Sequence, residues 1–234
     1  MKKRAPLFIL IISIIIFLHS LFNIIDWKSE ELQIGKINND IDSSININAD
    51  EGVFEVDLDK LKKINPDTVG YIYIKNTNIS YPIVQTTNND FYLNHDFNKN
   101  INEAGWIYMD YRSNFNSKNN ILYGHNRLDG IMFGTLKNVL KESWYSNPDN
   151  LIIHIINTEG ETGYKIFSAY RIKKESYYIT PDMNDNDYKK FIDTLKKRSL
   201  HNYNSGVTAD SNIITLSTCT INDGERLVVH AYQL

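Results

Sequence analysis

Leu7 to Ile25 forms a run of 19 residues without a formal charge, interrupted by polar side chains only at Ser13, His19, Ser20 and Asn23. As a helix rising about 1.5 Å per residue, it is just long enough to cross a hydrocarbon core of roughly 30 Å. Lys2, Lys3 and Arg4 precede it, whereas Asp26, Glu30 and Glu31 follow against Lys28 alone. The positive-inside rule therefore places the N-terminus in the cytoplasm and everything after the run outside. A cleaved leader would have a shorter apolar core followed by an Ala-x-Ala-like site, and Ser20–Asp26 offers none. No cysteine near the N-terminus supports lipoprotein-type acylation. The expected organisation is a cytoplasmic end over residues 1–6, a membrane anchor over 7–25, a polar stalk over 26–52 and one folded domain over 53–234.

The formal net charge of −3 includes the three N-terminal cations; without them, 22 basic residues face 28 acidic ones. That balance is a poor footprint for nucleic acid. Cys219 is the single cysteine of the 234 residues, so no internal disulfide can form even in an oxidising compartment. About 180 residues are enough for the domain to rely on an apolar core instead.

Residues 26–52 are rich in Asn, Asp, Ser and Ile. Ile34, Ile37, Ile41 and Ile45 recur at spacings of three and four. This reads as a solvated tether that becomes helical near the domain. Leu58–Asn65 is expected as a short amphipathic helix stopped by Pro66. Strands are expected at Val69–Ile74, Ile79–Val84, Trp106–Met109, Ile121–Tyr123, Leu151–Ile156, Tyr164–Ile172, Ile213–Thr218 and Leu227–Tyr232, with Pro82 marking the second as an edge strand. Helices are expected at Ile131–Leu140 and Asp187–Leu200. In the latter, Tyr188, Phe191, Ile192 and Leu195 share one face. Eight short strands with few helices indicate a β-barrel or sandwich carrying helical insertions.

Cys219 closes the apolar run that starts at Ile213, and strand alternation puts it on one face with Ile213, Thr215 and Ser217. A cysteine there is either buried filler or a nucleophile. His125 ends a second such run, after Gly124, where the backbone is free to turn. A histidine in that place can take a thiol proton and return it to a leaving amine, as cysteine acyl transfer requires. His19, His95, His154, His201 and His230 compete, but none follows a glycine at a strand end. Arg226 opens the last strand after the turn Asn222-Asp-Gly-Glu225. It either pairs with Asp223 or Glu225 or offers a donor fork to a developing oxyanion. Neither CxxC, HExxH nor a phosphate-binding glycine loop is present, and no cofactor is expected.

Together these segments resemble the class B sortases. Thr215-Leu-Ser-Thr-Cys219 is similar to the family's TLxTC signature, and Tyr123-Gly-His125 is similar to its histidine strand. Tyr81–Gln85, Met109–Arg112, Met132-Phe-Gly134, Phe167–Tyr170 and the helix from Asp187 extend the likeness across the domain. The resemblance implies a closed eight-stranded barrel and a membrane-anchored cysteine transpeptidase on a Gram-positive surface. It implies Cys219 as nucleophile, His125 as general acid/base and Arg226 as electrostatic anchor. It further implies Leu93, Tyr178, Ile179, Ser217 and Thr218 as contacts of the sorting peptide. The implied partners are an Asn-Pro-x-Thr-like sorting signal, a peptidoglycan cross-bridge amine or its lipid-linked precursor, and the membrane, with no nucleic acid.

Two other classes remain open on the residues alone. A papain-like wall peptidase also pairs cysteine with histidine, but there cysteine comes first and heads a helix. A non-catalytic tethered β-domain would hold Cys219 as filler.

Overall fold

A computed structural model describes residues 5–173, 175–219 and 224–234. Helix α1 spans Ala5–Asp42, followed by a hairpin of β1 (Ile45–Asn48) and β2 (Val53–Val56). Helix α2 (Leu58–Ile64) starts at Asp57, whose carboxylate accepts from the Lys60 amide, and it ends at Asn65, ahead of Pro66. Eight strands then build the domain. They are β3 (Thr68–Ile74), β4 (Ser80–Val84), β5 (Tyr108–Met109), β6 (Asn119–Gly124), β7 (Ile152–Asn157), β8 (Gly160–Ile172), β9 (Ile213–Cys219) and β10 (Arg226–Gln233). A short α3 (Glu142–Tyr145) precedes β7, and α4 (Asp185–Arg198) lies between β8 and β9.

The strands close into a barrel in the order β10-β8-β7-β3-β4-β5-β6-β9. All eight expected strands are present, and closure decides between barrel and sandwich. The pairings β4–β5 and β6–β9 are parallel and the rest antiparallel. Inside, Ile72, Ile74, Ile83, Leu122, Ile153, Ile166, Ile214, Leu216 and Val229 alternate inward with almost no exposure. A second cluster lies outside the wall, where Tyr188, Phe191, Ile192 and Leu195 of α4 cover Phe167, Tyr170, Ile213 and Val228. Asn184 caps α4 by accepting from the Asp187 amide, and Asp185 and Asp187 at its start oppose Lys196, Lys197 and Arg198 at its end, as the helix dipole favours.

Three expectations are corrected. β4 is not an edge strand, because the barrel leaves none. Pro82 is tolerated because β5 meets β4 only at Val84↔Tyr108, so its flank toward β5 carries no ladder, and its carbonyl accepts from the Trp106 indole at 2.8 Å. The helix expected over Ile131–Leu140 is only a 3₁₀ turn at Leu136–Leu140, since Met132 takes φ 51° and no right-handed helix passes through that conformation. The solvated tether expected before the domain is instead ordered. α1 continues unbroken from the apolar stretch to Asp42, and Ile34, Ile37 and Ile41 are buried in the core that the barrel shares.

The contact between α1 and the barrel is also polar. Glu30 accepts from Arg127 Nη1 at 2.9 Å and from the Glu103 amide at 3.1 Å. Asn102 donates to Gln33 at 3.1 Å, and the Arg127 guanidinium lies 5.4 Å from the centre of the Trp27 ring. Replacing Ile37 with Ala should therefore lower the unfolding free energy of the domain by about 2–5 kcal/mol, measured by chemical denaturation of the full chain in detergent. A solvated segment would give a change within about 0.5 kcal/mol.

Candidate active site

The parallel pairing of β6 with β9 ends at Gly124↔Thr218, so His125 and Cys219 each follow that pair by one residue. On the other side of β9, Cys219 stands opposite Arg226. Three neighbouring strands thus bring the three candidate catalytic residues to one end of the barrel wall. The backbone of Cys219 belongs to β9, while its side chain and residues 220–223, including the candidate Arg226 partner Asp223, lie outside the described residues.

His125 is held from two directions. Its Nε2 lies 2.7 Å from the Leu93 carbonyl oxygen, which can only accept, so Nε2 carries hydrogen and Nδ1 is left as the basic nitrogen. Its own carbonyl accepts from the Phe133 amide at 3.0 Å. Two glycines make this approach possible. A Cβ on Gly124 would stand 2.8 Å from the Phe133 ring. On Gly105, where φ is 58°, it would stand 2.6 and 2.7 Å from the carbonyls of Tyr92 and Leu93, and 3.1 Å from the imidazole.

Arg226 donates from Nη1 to the Tyr178 hydroxyl at 3.2 Å, and that hydroxyl lies 3.1 Å from Ser217 Oγ. A groove of ≈ 250 Å³ opens between these groups, lined by Leu93, Ile179, Ser217 and Thr218 together with His125 and Arg226. Tyr178 is fully buried behind it and touches the site through its hydroxyl. The remaining lining comes from Asn89, Tyr108, Tyr123 and Gly124. Tyr123 could have been found from the sequence, since it shares a strand face with His125 two residues on. Asn89 sits in a polar run that carries no such signal.

The loop bearing Tyr178 and Ile179 is fastened by its backbone. Asn119 Nδ2 donates to the carbonyls of Tyr178 and Thr180, both at 3.0 Å. Arg112 Nη2 donates to that of Ile179 at 3.0 Å, and the Asn119 amide donates to that of Pro181 at 2.9 Å. Asn119 Oδ1 in turn accepts from Thr215 Oγ1 at 2.6 Å. Thr215 then receives the Nδ1 hydrogen of His230 at 2.8 Å, and His230 Nε2 accepts from Tyr170 at 2.9 Å, with Tyr177 2.6 Å further on. Burial drives the His230 pKa down to about 3, so the ring stays neutral and Nε2 is free to accept from Tyr170. Asn119→Ala leaves these buried groups without partners and should cost at least about 1–3 kcal/mol in urea unfolding, with faster hydrogen exchange at Tyr178–Thr180.

Asp110 anchors the other wall. Its carboxylate receives Arg112 Nε at 2.9 Å and Nη2 at 2.8 Å, the Tyr123 hydroxyl at 2.8 Å and Asn89 Nδ2 at 3.0 Å. Burial alone would raise its pKa, but the hydrogen bonds led by Arg112 outweigh burial and hold it below the ordinary carboxylate value. The Tyr123 hydroxyl is pushed up, first by burial and then by Asp110. A carboxylate lowered in the folded state adds stability above its unfolded pKa, about 3.9, and loses that contribution as pH falls through the lower folded value. Wild-type stability should accordingly fall more steeply below about pH 4 than that of Asp110→Asn in a urea titration across pH.

With this geometry in view, comparison with known proteins is decisive. The family model for the sortase domain matches residues 72–234. The chain belongs to the sortase family, class B.

It is 39% identical over 165 residues to sortase B of Staphylococcus aureus, covering 69% of this chain and 67% of that one. Among solved structures it is similar to a Bacillus anthracis protein described as similar to sortase B, with TM-score 0.76 and 33% identity over 89% of this chain and 97% of that one. It also matches sortase B of Clostridium perfringens, with TM-score 0.71 and 31% identity over 76% and 99% of the respective chains. The closed barrel is the sortase B fold, and the chain is a sortase-type cysteine transpeptidase. The remaining histidines are engaged elsewhere: His19 lies in α1 beside Asn23, His95 bonds the Phe91 carbonyl, His154 pairs with Glu161, and His201 packs on Tyr145.

Proposed function

We propose that this sortase is anchored by residues 7–25 with its N-terminus in the cytoplasm. Its catalytic domain, from about residue 53 onward, then cleaves an Asn-Pro-x-Thr-like sorting signal outside the cell. The observation that supports this assignment of roles is the strand register: Cys219 ends β9 opposite Arg226 and one residue past the Gly124↔Thr218 pair that His125 also follows, and His125 and Arg226 line one groove.

In this reading the Cys219 thiolate attacks the threonine carbonyl. The C–S bond forms, the carbonyl oxygen takes up the negative charge, and the guanidinium of Arg226 stabilises it. The C–N bond then breaks as His125 gives its proton to the departing amine, leaving a thioester. An amine of the peptidoglycan cross-bridge or its lipid-linked precursor attacks the thioester, His125 takes the amine's proton, and the thiolate leaves. Leu93, Ile179, Ser217 and Thr218 form the floor and wall on which the peptide lies. Tyr178 supports that wall by bonding both Ser217 and Arg226. Arginine suits its position because its guanidinium is planar and permanently charged, and one end of its fork is oriented by Tyr178.

Cleavage of fluorescence-quenched Asn-Pro-x-Thr peptides, with transfer to added amines, tests the reading. Cys219→Ala should abolish cleavage, and His125→Ala should lower it by on the order of 10²–10⁴-fold. Arg226→Lys should lose on the order of 10²–10³-fold in rate while the unfolding midpoint barely moves. A Cys219→Ala protein that still cleaves would overturn the mechanism.

A further inference from the structure

This inference rests on the reading of residues 7–25 as a membrane span. Because α1 is one unbroken helix, height above the bilayer can be counted in residues. At about 1.5 Å per residue, Trp27 lies about 3 Å and Gln33 about 12 Å beyond Ile25, the last residue of the apolar stretch. The polar layer outside the hydrocarbon is about 5–7 Å deep on each side.

Two loops of the barrel meet α1 within that short interval. Arg127 binds Glu30 and covers Trp27, while Asn102 and Glu103 bind Gln33 and Glu30. Each loop carries a large apolar side chain that the domain does not cover. Leu128, next to Arg127, is 67% exposed, and Ile101, next to Asn102, is 77% exposed. Single exposed apolar side chains such as Leu200 and Leu234 are ordinary on a solvated surface; what sets Leu128 and Ile101 apart is that both flank the α1 contact, next to where the apolar stretch ends, and a headgroup–acyl boundary accepts such a pair. The same loops border the groove. Arg127 follows His125 by two residues, and Ile101 pairs with His95, two residues beyond Leu93. The opposite end of the contact, at Ile41, is about 24 Å past Ile25.

We propose that the catalytic domain rests on the surface of the bilayer that holds α1, with Leu128 and Ile101 inserted at the headgroup boundary and Trp27 beside them. The mouth of the groove then opens at the membrane surface. A substrate still tethered by its own apolar tail, or an acceptor amine carried on a lipid, reaches Cys219 by moving in the plane of the membrane.

Depth measurements on the full chain test this. In a Cys219→Ser background, a single spin label is placed by Ile14→Cys, Ile101→Cys, Leu128→Cys or Glu159→Cys. The protein is reconstituted into vesicles of phosphatidylcholine with phosphatidylglycerol. Collisions of each label with dissolved oxygen and with a water-soluble nickel chelate are then compared. Labels at Ile101 and Leu128 should show a several-fold higher oxygen-to-nickel ratio than the label at Glu159, in the exposed turn between β7 and β8. If Ile14 is embedded while Ile101 and Leu128 match Glu159, the docking is overturned and the span reading stands. If Ile14 itself is open to the nickel chelate, the span reading falls and the docking falls with it.

Discussion

The site depends on one pairing, the parallel ladder between β6 and β9. Parallel neighbours keep equal residue steps, so once Asn119 is set against Ile213 the far ends arrive together at Gly124 and Thr218. A slip of one residue would turn every side chain of β9 to the other face of the wall. Leu216 and Ile214 would then leave the interior, and Thr215 would lose Asn119. Apolar burial along the strand and the bonds of Thr215 to Asn119 and His230 therefore enforce the same register, and the candidate residues at its tip inherit that precision.

Asn119 acts at both levels. It opens β6, so it sets where the strand begins, and its side chain holds the loop that walls the groove. An uncharged side chain suits this place, since it can donate twice and accept once without the desolvation cost of an ion. The neutral His230 follows the same logic. A protonated ring would bring a charge into a fully buried place where only neutral hydroxyls face its nitrogens, and burial excludes it. On the far wall the requirement is met by charge, with Asp110 and Arg112 neutralising each other beside the groove.

Much of this was legible in the chain. Period-two patterns revealed the strands, and the i, i+3, i+4, i+7 spacing of Tyr188, Phe191, Ile192 and Leu195 revealed α4. His125 and Cys219 were visible as polar residues closing apolar runs. The errors have physical causes. The Ile34, Ile37, Ile41 spacing already described a helix face, but the polar residues between them suggested solvent, and nothing local shows that a barrel will cover that face. The segment after His125 has helical composition, yet Phe133 must turn back to bond His125 and pack on Gly124, which forces Met132 to positive φ. Asp110 and Asn119 were invisible because their partners lie far along the chain, and polarity alone does not reveal a buried hub.

The fastening of residues 178–181 through main-chain oxygens has a consequence for how such an enzyme changes over generations. Every residue type supplies the same carbonyl, so the anchors Asn119 and Arg112 hold the loop whatever side chain stands at Ile179. That side chain lines the groove, so its replacement would reshape the groove without moving the wall that carries it. Geometry and preference are thus written in different parts of the same residues, and selection on one need not disturb the other.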